Sequence, residues 1–249
     1  MCGRFIIEDN GEVRVLGWAE LRQVITMDRI KDAWKHITSR YNIAPSQPVP
    51  IIRVEAGAAR ILSASWGLVP SWAKDPKDGP RPINAMAETV TEKPTFRSVF
   101  KRRRCLVLAS GYYEWKKLDA KHKQAIFIKL PKRPLFCFAG LWDRWEGSDR
   151  VLESCTILTT AANERLATIH QRMPVILDPE QYARWIDPQL QDPAEVMAMI
   201  RSYPAEAFDL IPVGPEVGKV SSEGPELIKP WQPPPPVAEP GPEQLGLFG

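Results

Sequence analysis

The sequence predicts an α+β protein with a largely antiparallel sheet, and two observations carry that expectation. Short β-rich runs crowd the middle of the chain, at 49–54, 60–66, 104–108, 125–130, 135–141 and 154–160. Helical patterns do not alternate with them in the regular way that a parallel α/β sheet requires.

The elements follow in order. Leu21, Val24, Ile25 and Trp34 recur near helical spacing, which predicts an amphipathic helix within 18–36. The six β-rich runs come next. Turn-forming clusters such as Asp75-Pro76-Lys77-Asp78-Gly79-Pro80 separate them. Further helices are expected at 162–169, 179–186 and 193–201. No internal repeat is present. One domain is expected over residues 1–230. Composition then changes sharply. Pro230, Pro233 to Pro236, Pro240 and Pro242 make residues 231–249 an extended, unpackable tail.

Bulk properties exclude several classes. The 249 residues are 44% hydrophobic and 25% charged, ordinary values for a globular protein. No apolar run approaches the roughly 18 residues of a membrane span. Acidic Glu8 and Asp9 stand where a signal peptide would be apolar, so a cytoplasmic protein is expected. The net charge is only +3. The run Lys101-Arg102-Arg103-Arg104 reads as a solvated helix face before it reads as a phosphate-attracting patch. The cysteines, at 2, 105, 137 and 155, show no CxxC spacing, and there are three histidines. Neither a zinc site nor a disulfide framework is expected, and no cofactor is implied. Cys105, Cys137 and Cys155 sit in apolar, strand-like surroundings and read as small buried hydrophobes.

Cys2 differs by position. Removal of Met1 would leave an N-terminal amine and a thiol two carbons apart. The α-amine titrates at about 7.7–8.0 and a thiol at about 8.5, so much of the amine is nucleophilic near neutral pH. An aldehyde can form an imine with the amine, and the thiol can then close a five-membered thiazolidine. With Met1 retained, Cys2 is an ordinary residue.

Three other positions suggest chemistry. Asn84, in Arg81-Pro82-Ile83-Asn84-Ala85-Met86-Ala87-Glu88-Thr89, precedes an expected helical turn. It suits a helix cap, or a hydrogen-bonding group for a substrate or the N-terminal amine. Glu114, in Ser110-Gly111-Tyr112-Tyr113-Glu114-Trp115, lies between aromatics. It suits a general acid or base, or a solvent-facing strand position. His170 ends an expected helix and precedes Gln171-Arg172-Met173-Pro174. It suits a proton shuttle or a structural histidine.

Taken together, these landmarks resemble the SOS-response-associated peptidase (SRAP) family over residues 2–230. Further matching stretches are Met1-Cys2-Gly3-Arg4-Phe5, Arg40-Tyr41-Asn42-Ile43-Ala44-Pro45 and Trp66-Gly67-Leu68-Val69-Pro70-Ser71-Trp72. The resemblance implies a single domain built on a barrel-like β core with flanking helices. It also implies covalent capture of abasic sites in single-stranded DNA. Cys2 would form the thiazolidine with the ring-opened sugar. Asn84 would orient the Cys2 amine or the sugar, Glu114 would move protons, and His170 would assist at the sugar oxygen. Arg4, Arg40, Asn42, Trp72 and Arg172 would line the DNA path. Two departures stand out: relatives carry Arg at the position of Met86, and commonly Asp at that of Ser110.

The tail carries a second resemblance. Gln244, Leu245, Leu247 and Phe248 look like the peptide by which bacterial replication and repair proteins bind the sliding clamp. Two other readings compete with abasic-site capture. The same Cys2, Glu114 and His170 would serve an N-terminal-nucleophile peptidase, if only on Met1. Alternatively, the protein is a non-enzymatic, clamp-tethered adaptor for single-stranded DNA. Nothing in the sequence points beyond a monomer.

Overall fold

The computed structural model describes residues 2–77 and 79–232. Among them, strands β1 (Arg4–Ile7), β2 (Arg40–Ile43), β3 (Pro48–Glu55), β4 (Ala58–Trp66) and β5 (Asn84–Met86) form the first half. Then come β6 (Arg104–Ala109), β7 (Gly111–Lys117), β8 (Lys123–Lys129), β9 (Phe136–Glu146) and β10 (Val151–Ala161). Short β11 (Arg172–Pro174), β12 (Ile176–Leu177) and β13 (Asp209–Val213) complete the set. One sheet runs β13-β8-β7-β1-β2, and the other β11-β10-β4-β3-β6-β9-β12, with β5 added beside β10. Pairing is antiparallel except where β10 runs parallel to β4 and β5. Side chains of both sheets, among them Phe5, Tyr112, Ile51, Val107 and Phe138, share one core. β9 also pairs antiparallel with β10, which closes β10-β4-β3-β6-β9 on itself, and this ring is the barrel-like core of the α+β architecture.

Period-2 alternation explains how the smaller sheet carries two faces. Phe5, Ile7, Tyr112, Ile126 and Ile128 enter the shared core. Ile6, Tyr113, Ala125, Phe127 and Val213 pack a second, smaller cluster on the opposite face.

The helices are α1 (Trp18–Leu21), α2 (Met27–Trp34), α3 (Pro94–Arg102), α4 (Glu164–Ala167), α5 (Tyr182–Ile186) and α6 (Pro193–Met197). They correct the sequence reading in detail. The single helix expected within 18–36 is two, because Thr26 is extended (φ −70°, ψ 151°) and starts α2 afresh. Residues 13–17 add a π turn before α1. Asn163 caps α4 through Leu166 N–H, which sets its start two residues later than expected. The run at 101–104 is not one solvated face. Lys101 and Arg102 are exposed, while Arg104 is buried. Its guanidinium donates to the carbonyls of Phe100 (2.8 Å), Lys101 (2.7 Å), Trp185 (2.6 Å) and Leu190 (2.8 Å). A buried cation satisfied in this way stitches α3 and α5 to β6 rather than attracting phosphate. No described helix is long and apolar enough to cross a membrane.

Candidate active site

Cys2 stands just before β1, and its side chain is fully buried in the shared core. Asn84 reaches it from β5. The turn before β5 is pinned where Trp66 donates its indole N–H to Ile83 O at 2.9 Å, and β5 is held in register with β10 at Asn84 opposite Ile157. Asn84 Nδ2 then donates to the Cys2 carbonyl at 2.8 Å. The other amide atom, Oδ1, is buried and accepts no hydrogen bond from the described residues. Asn84 is therefore not the cap of the following 3-10 turn; Met86 holds that position.

Glu114 comes from β7. It lies two residues beyond Tyr112, so both side chains point to the same face of the strand. Glu114 is 5% exposed, and not a solvent-facing strand residue. Burial pushes the Cys2 thiol well above its ordinary range, and the nearby Glu114 carboxylate pushes it further. The phenol of Tyr112 is likewise raised, first by burial and then by Cys2 and Glu114. Asn84 thus contacts Cys2 directly, and the charges of Glu114 and Cys2 act on one another and on Tyr112. Tyr112 was not singled out from the sequence, where it reads as one more strand aromatic.

His170 follows α4 and is half-buried. Its Nδ1 lies 3.0 Å from the backbone nitrogen of Arg172 and 3.3 Å from the Arg172 carbonyl oxygen. Arg172 is committed to the protein. It forms a two-pronged ion pair with Glu88 (2.7 and 2.8 Å) and donates to Thr159 O at 2.7 Å. Thr159 lies on β10 opposite Met86 of β5 on one edge and Pro174 of β11 on the other. The ion pair therefore spans β10 and ties the Asn84 segment to the His170 segment.

The remaining expected DNA-path residues are divided. Trp72 is 66% exposed, on the loop after β4. That loop leaves the sheet at Gly67, whose φ of +127° disfavours any side chain. Arg4 donates weakly to Gly218 O (3.4 Å) and stays partly accessible. Arg40 does not join the Cys2 site. It donates to Pro48 O and Gln47 Oε1 and lines a separate cavity of about 620 Å³ with His36, Ile37 and Ile61. Asn42 is buried, and its amide donates to the carbonyls of Lys219 (2.8 Å) and Ser222 (3.0 Å). It fastens the 219–222 segment. Met86 is 40% exposed beside Asn84. Ser110 is buried, with its hydroxyl accepting Glu8 N–H at 3.0 Å. Among the described residues, no group of His, Cys, Asp and Glu is gathered to hold a metal ion. Gln244, Leu245, Leu247 and Phe248 lie outside the described residues.

A mixed two-sheet domain enclosing Cys2 against Asn and Glu side chains defines a class. Residues 1–220 match the SOS response associated peptidase (SRAP) family, and the chain belongs to that family. Among its relatives, the abasic site processing protein YoqW of Bacillus subtilis is 37% identical over 230 residues, covering 92% of this chain and 99% of the relative. YedK of Escherichia coli, also an abasic site processing protein, is 32% identical over 232 residues, covering 92% and 100%. A crystal structure of a Bacteroides thetaiotaomicron protein superposes with a TM-score of 0.78 at 25% identity, covering 93% of this chain and 100% of that one.

Proposed function

We propose that this protein processes abasic sites, capturing them in single-stranded DNA as a covalent adduct on Cys2. The observation that carries the reading is the setting of Cys2, enclosed one residue from the initiator Met with Asn84 on its carbonyl and Glu114 beside its thiol. The near end-to-end similarity to proteins named for abasic site processing supports it.

The chemistry begins with loss of Met1. The freed α-amine attacks the aldehyde of the ring-opened sugar, and water leaves, with one proton taken up from solvent, to give a protonated imine. Asn84 Oδ1 is a ready acceptor for an amine N–H, which orients the nitrogen lone pair. The thiol then gives its proton to Glu114, and sulfur adds to the imine carbon. The C=N electron pair returns to nitrogen and the thiazolidine closes. His170 serves the sugar oxygen as the ring opens. Trp72 offers a stacking face, and Arg4 offers positive charge along the DNA path.

The test is a denaturing gel of Met-processed protein with a single-stranded oligonucleotide bearing one abasic site. A heat-stable shifted band that needs both Cys2 and the abasic site is expected. Absence of that band, with an N-terminal Cys verified by mass spectrometry, would reject the reading. Turnover of peptides under the same conditions would favour the peptidase instead. Residues 231–249 are proposed to tether this domain to a sliding clamp through Gln244, Leu245, Leu247 and Phe248. Pull-down by purified clamp should be lost on combining Leu247→Ala with Phe248→Ala; capture that survives the pair would sink that reading.

A further inference from the structure

Asn84 and His170 stand on short pieces of chain at opposite edges of β10. Asn84 opens β5, a strand of three residues whose one partner among the described residues is β10. His170 precedes β11, also three residues long and paired with the other edge of β10. Strands this short contribute few backbone hydrogen bonds. Glu88 lies in the 3-10 turn after β5, and Arg172 opens β11. The Arg172 guanidinium bridges them across β10. Its two terminal nitrogens donate to the two Glu88 carboxylate oxygens at 2.7 and 2.8 Å, and one of them also donates to Thr159 O at 2.7 Å. Such a fork fixes orientation as well as distance. The Arg172 side chain is 17% exposed, and its Nε is buried without a hydrogen-bond partner among the described residues. Glu88 is 48% exposed, and an ion pair this accessible adds little to global stability. Stability alone does not account for so specific a geometry.

We infer that Glu88 is a positioning residue for adduct formation: through the Arg172 guanidinium it sets the spacing between Asn84 and His170. The inference rests on the covalent reading above and deepens it. That reading asks Asn84 to orient the amine while His170 serves the sugar oxygen, so the two side chains must fit one substrate at once. A misplacement of about 1 Å in such a constellation costs about 100-fold in rate. Asn84 is four residues before Glu88, and His170 two residues before Arg172. His170 Nδ1 lies 3.0 Å from the Arg172 backbone nitrogen, so a shift of Arg172 is passed to the imidazole. Without the Glu88 charge, Arg172 keeps the Thr159 carbonyl but loses its hold on the turn after β5. The two edges of β10 are then free to move against one another.

The test is Glu88→Gln, Arg172→Gln and the double variant in the full chain. Each is read by the single-turnover rate of adduct formation at saturating abasic single strand, by affinity for an intact oligonucleotide, by thermal melting and by the histidine side-chain NMR signals. Glu88→Gln should slow adduct formation about 10- to 100-fold. Its melting midpoint should move by less than about 4 °C, and its affinity should be unchanged. The imidazole signal of His170 should shift while those of His36 and His122 stay in place. The double variant should be no slower than the slower single variant, because the two residues act as one unit. A wild-type rate in Glu88→Gln, or losses that multiply in the double variant, would overturn the inference while leaving covalent capture intact. A weakened affinity with a normal rate at saturation would assign the pair to DNA binding and overturn it too. If wild-type protein forms no adduct, covalent capture fails, and the His170 signal still decides whether Glu88 positions that side chain.

Discussion

The Asn84 side-chain amide donates to the main-chain carbonyl of Cys2 at 2.8 Å, joining positions 82 residues apart in sequence. One hydrogen bond thus fixes the Cys2 backbone, while Oδ1 of the same amide is buried and accepts no hydrogen bond from the described residues. Asn84→Ala removes both. Stability should fall by about 1 kcal/mol, the net worth of a neutral hydrogen bond. Adduct formation should fall further, by about 100-fold, because a misplaced nucleophile loses its attack geometry. Paired urea melts and single-turnover gels measure the two effects. Equal losses in both would mean that Asn84 acts only as a structural tie.

Glu114 acts on the site by charge, beside the proton transfer proposed for it. Its carboxylate is the second cause, after burial, of the raised Cys2 thiol. Glu114→Gln keeps the volume and removes the charge. The thiol should then ionise at lower pH than in the wild type, so the pH profile of thiol alkylation moves downward. Adduct formation should nevertheless slow, by about 100-fold or more, because the proton acceptor is gone. The opposite signs separate the two roles. An alkylation profile that stays in place would show that Glu114 carries no charge near the sulfur.

Trp72 and Asn42 belong to neighbouring matched segments and should behave in opposite ways. Trp72 is largely exposed, so Trp72→Ala should change stability by less than about 0.5 kcal/mol. A lost base–aromatic stack should weaken single-stranded DNA binding by about 1–3 kcal/mol. Asn42→Ala leaves the Lys219 and Ser222 carbonyls without their donor and should destabilise by about 1–3 kcal/mol. DNA affinity of the folded Asn42 variant should be unchanged. Fluorescence anisotropy and thermal melts on both variants check the contrast, and a stability loss in the Trp72 variant would contradict it.

What was legible in the sequence follows physical range. Strands with β-branched alternation were readable; the run at 154–160 sits inside β10. β7 was hidden because Glu114, Lys116 and Lys117 blur its apolar alternation, and β1 because Arg4-Phe5-Ile6-Ile7 is so short. Cys2 was legible from position and Glu114 from its aromatic neighbours. The commitments of Asn42 to the 219–222 segment, of Arg104 to α5 and of Arg172 to Glu88 were not, because each partner is distant in sequence. Residue type alone does not distinguish a polar group that holds the fold from one that meets a ligand.

Met86 offers a gain-of-function test. It is 40% exposed and two residues from Asn84, so a longer cationic side chain has room to reach solvent there. Met86→Arg should tighten single-stranded DNA binding and steepen its salt dependence by about one counterion per site. Affinity measured from low to moderate salt checks this. A tighter complex with an unchanged salt slope would mean that the new side chain does not reach a phosphate.

Alkaline pH should unfold this protein through its buried thiols. Burial raises Cys155 to about 12, and raises Cys137 to about 12 as well, from an ordinary value of 9.0. A thiol raised in the folded state favours folding below its unfolded value, and that contribution is lost as pH rises toward the folded value. Stability should therefore be level below about pH 9 and fall between about 9 and 12, by roughly 1.4 kcal/mol per pH unit for each thiol involved. Cys155→Ala should lower stability at neutral pH by leaving a small cavity, yet flatten the alkaline decline by one thiol's share. Urea denaturation at about pH 7.5, 9 and 10.5 measures both. A decline equally steep in the variant would assign the alkaline loss to other groups, with buried Tyr112 and Tyr182 the next to test.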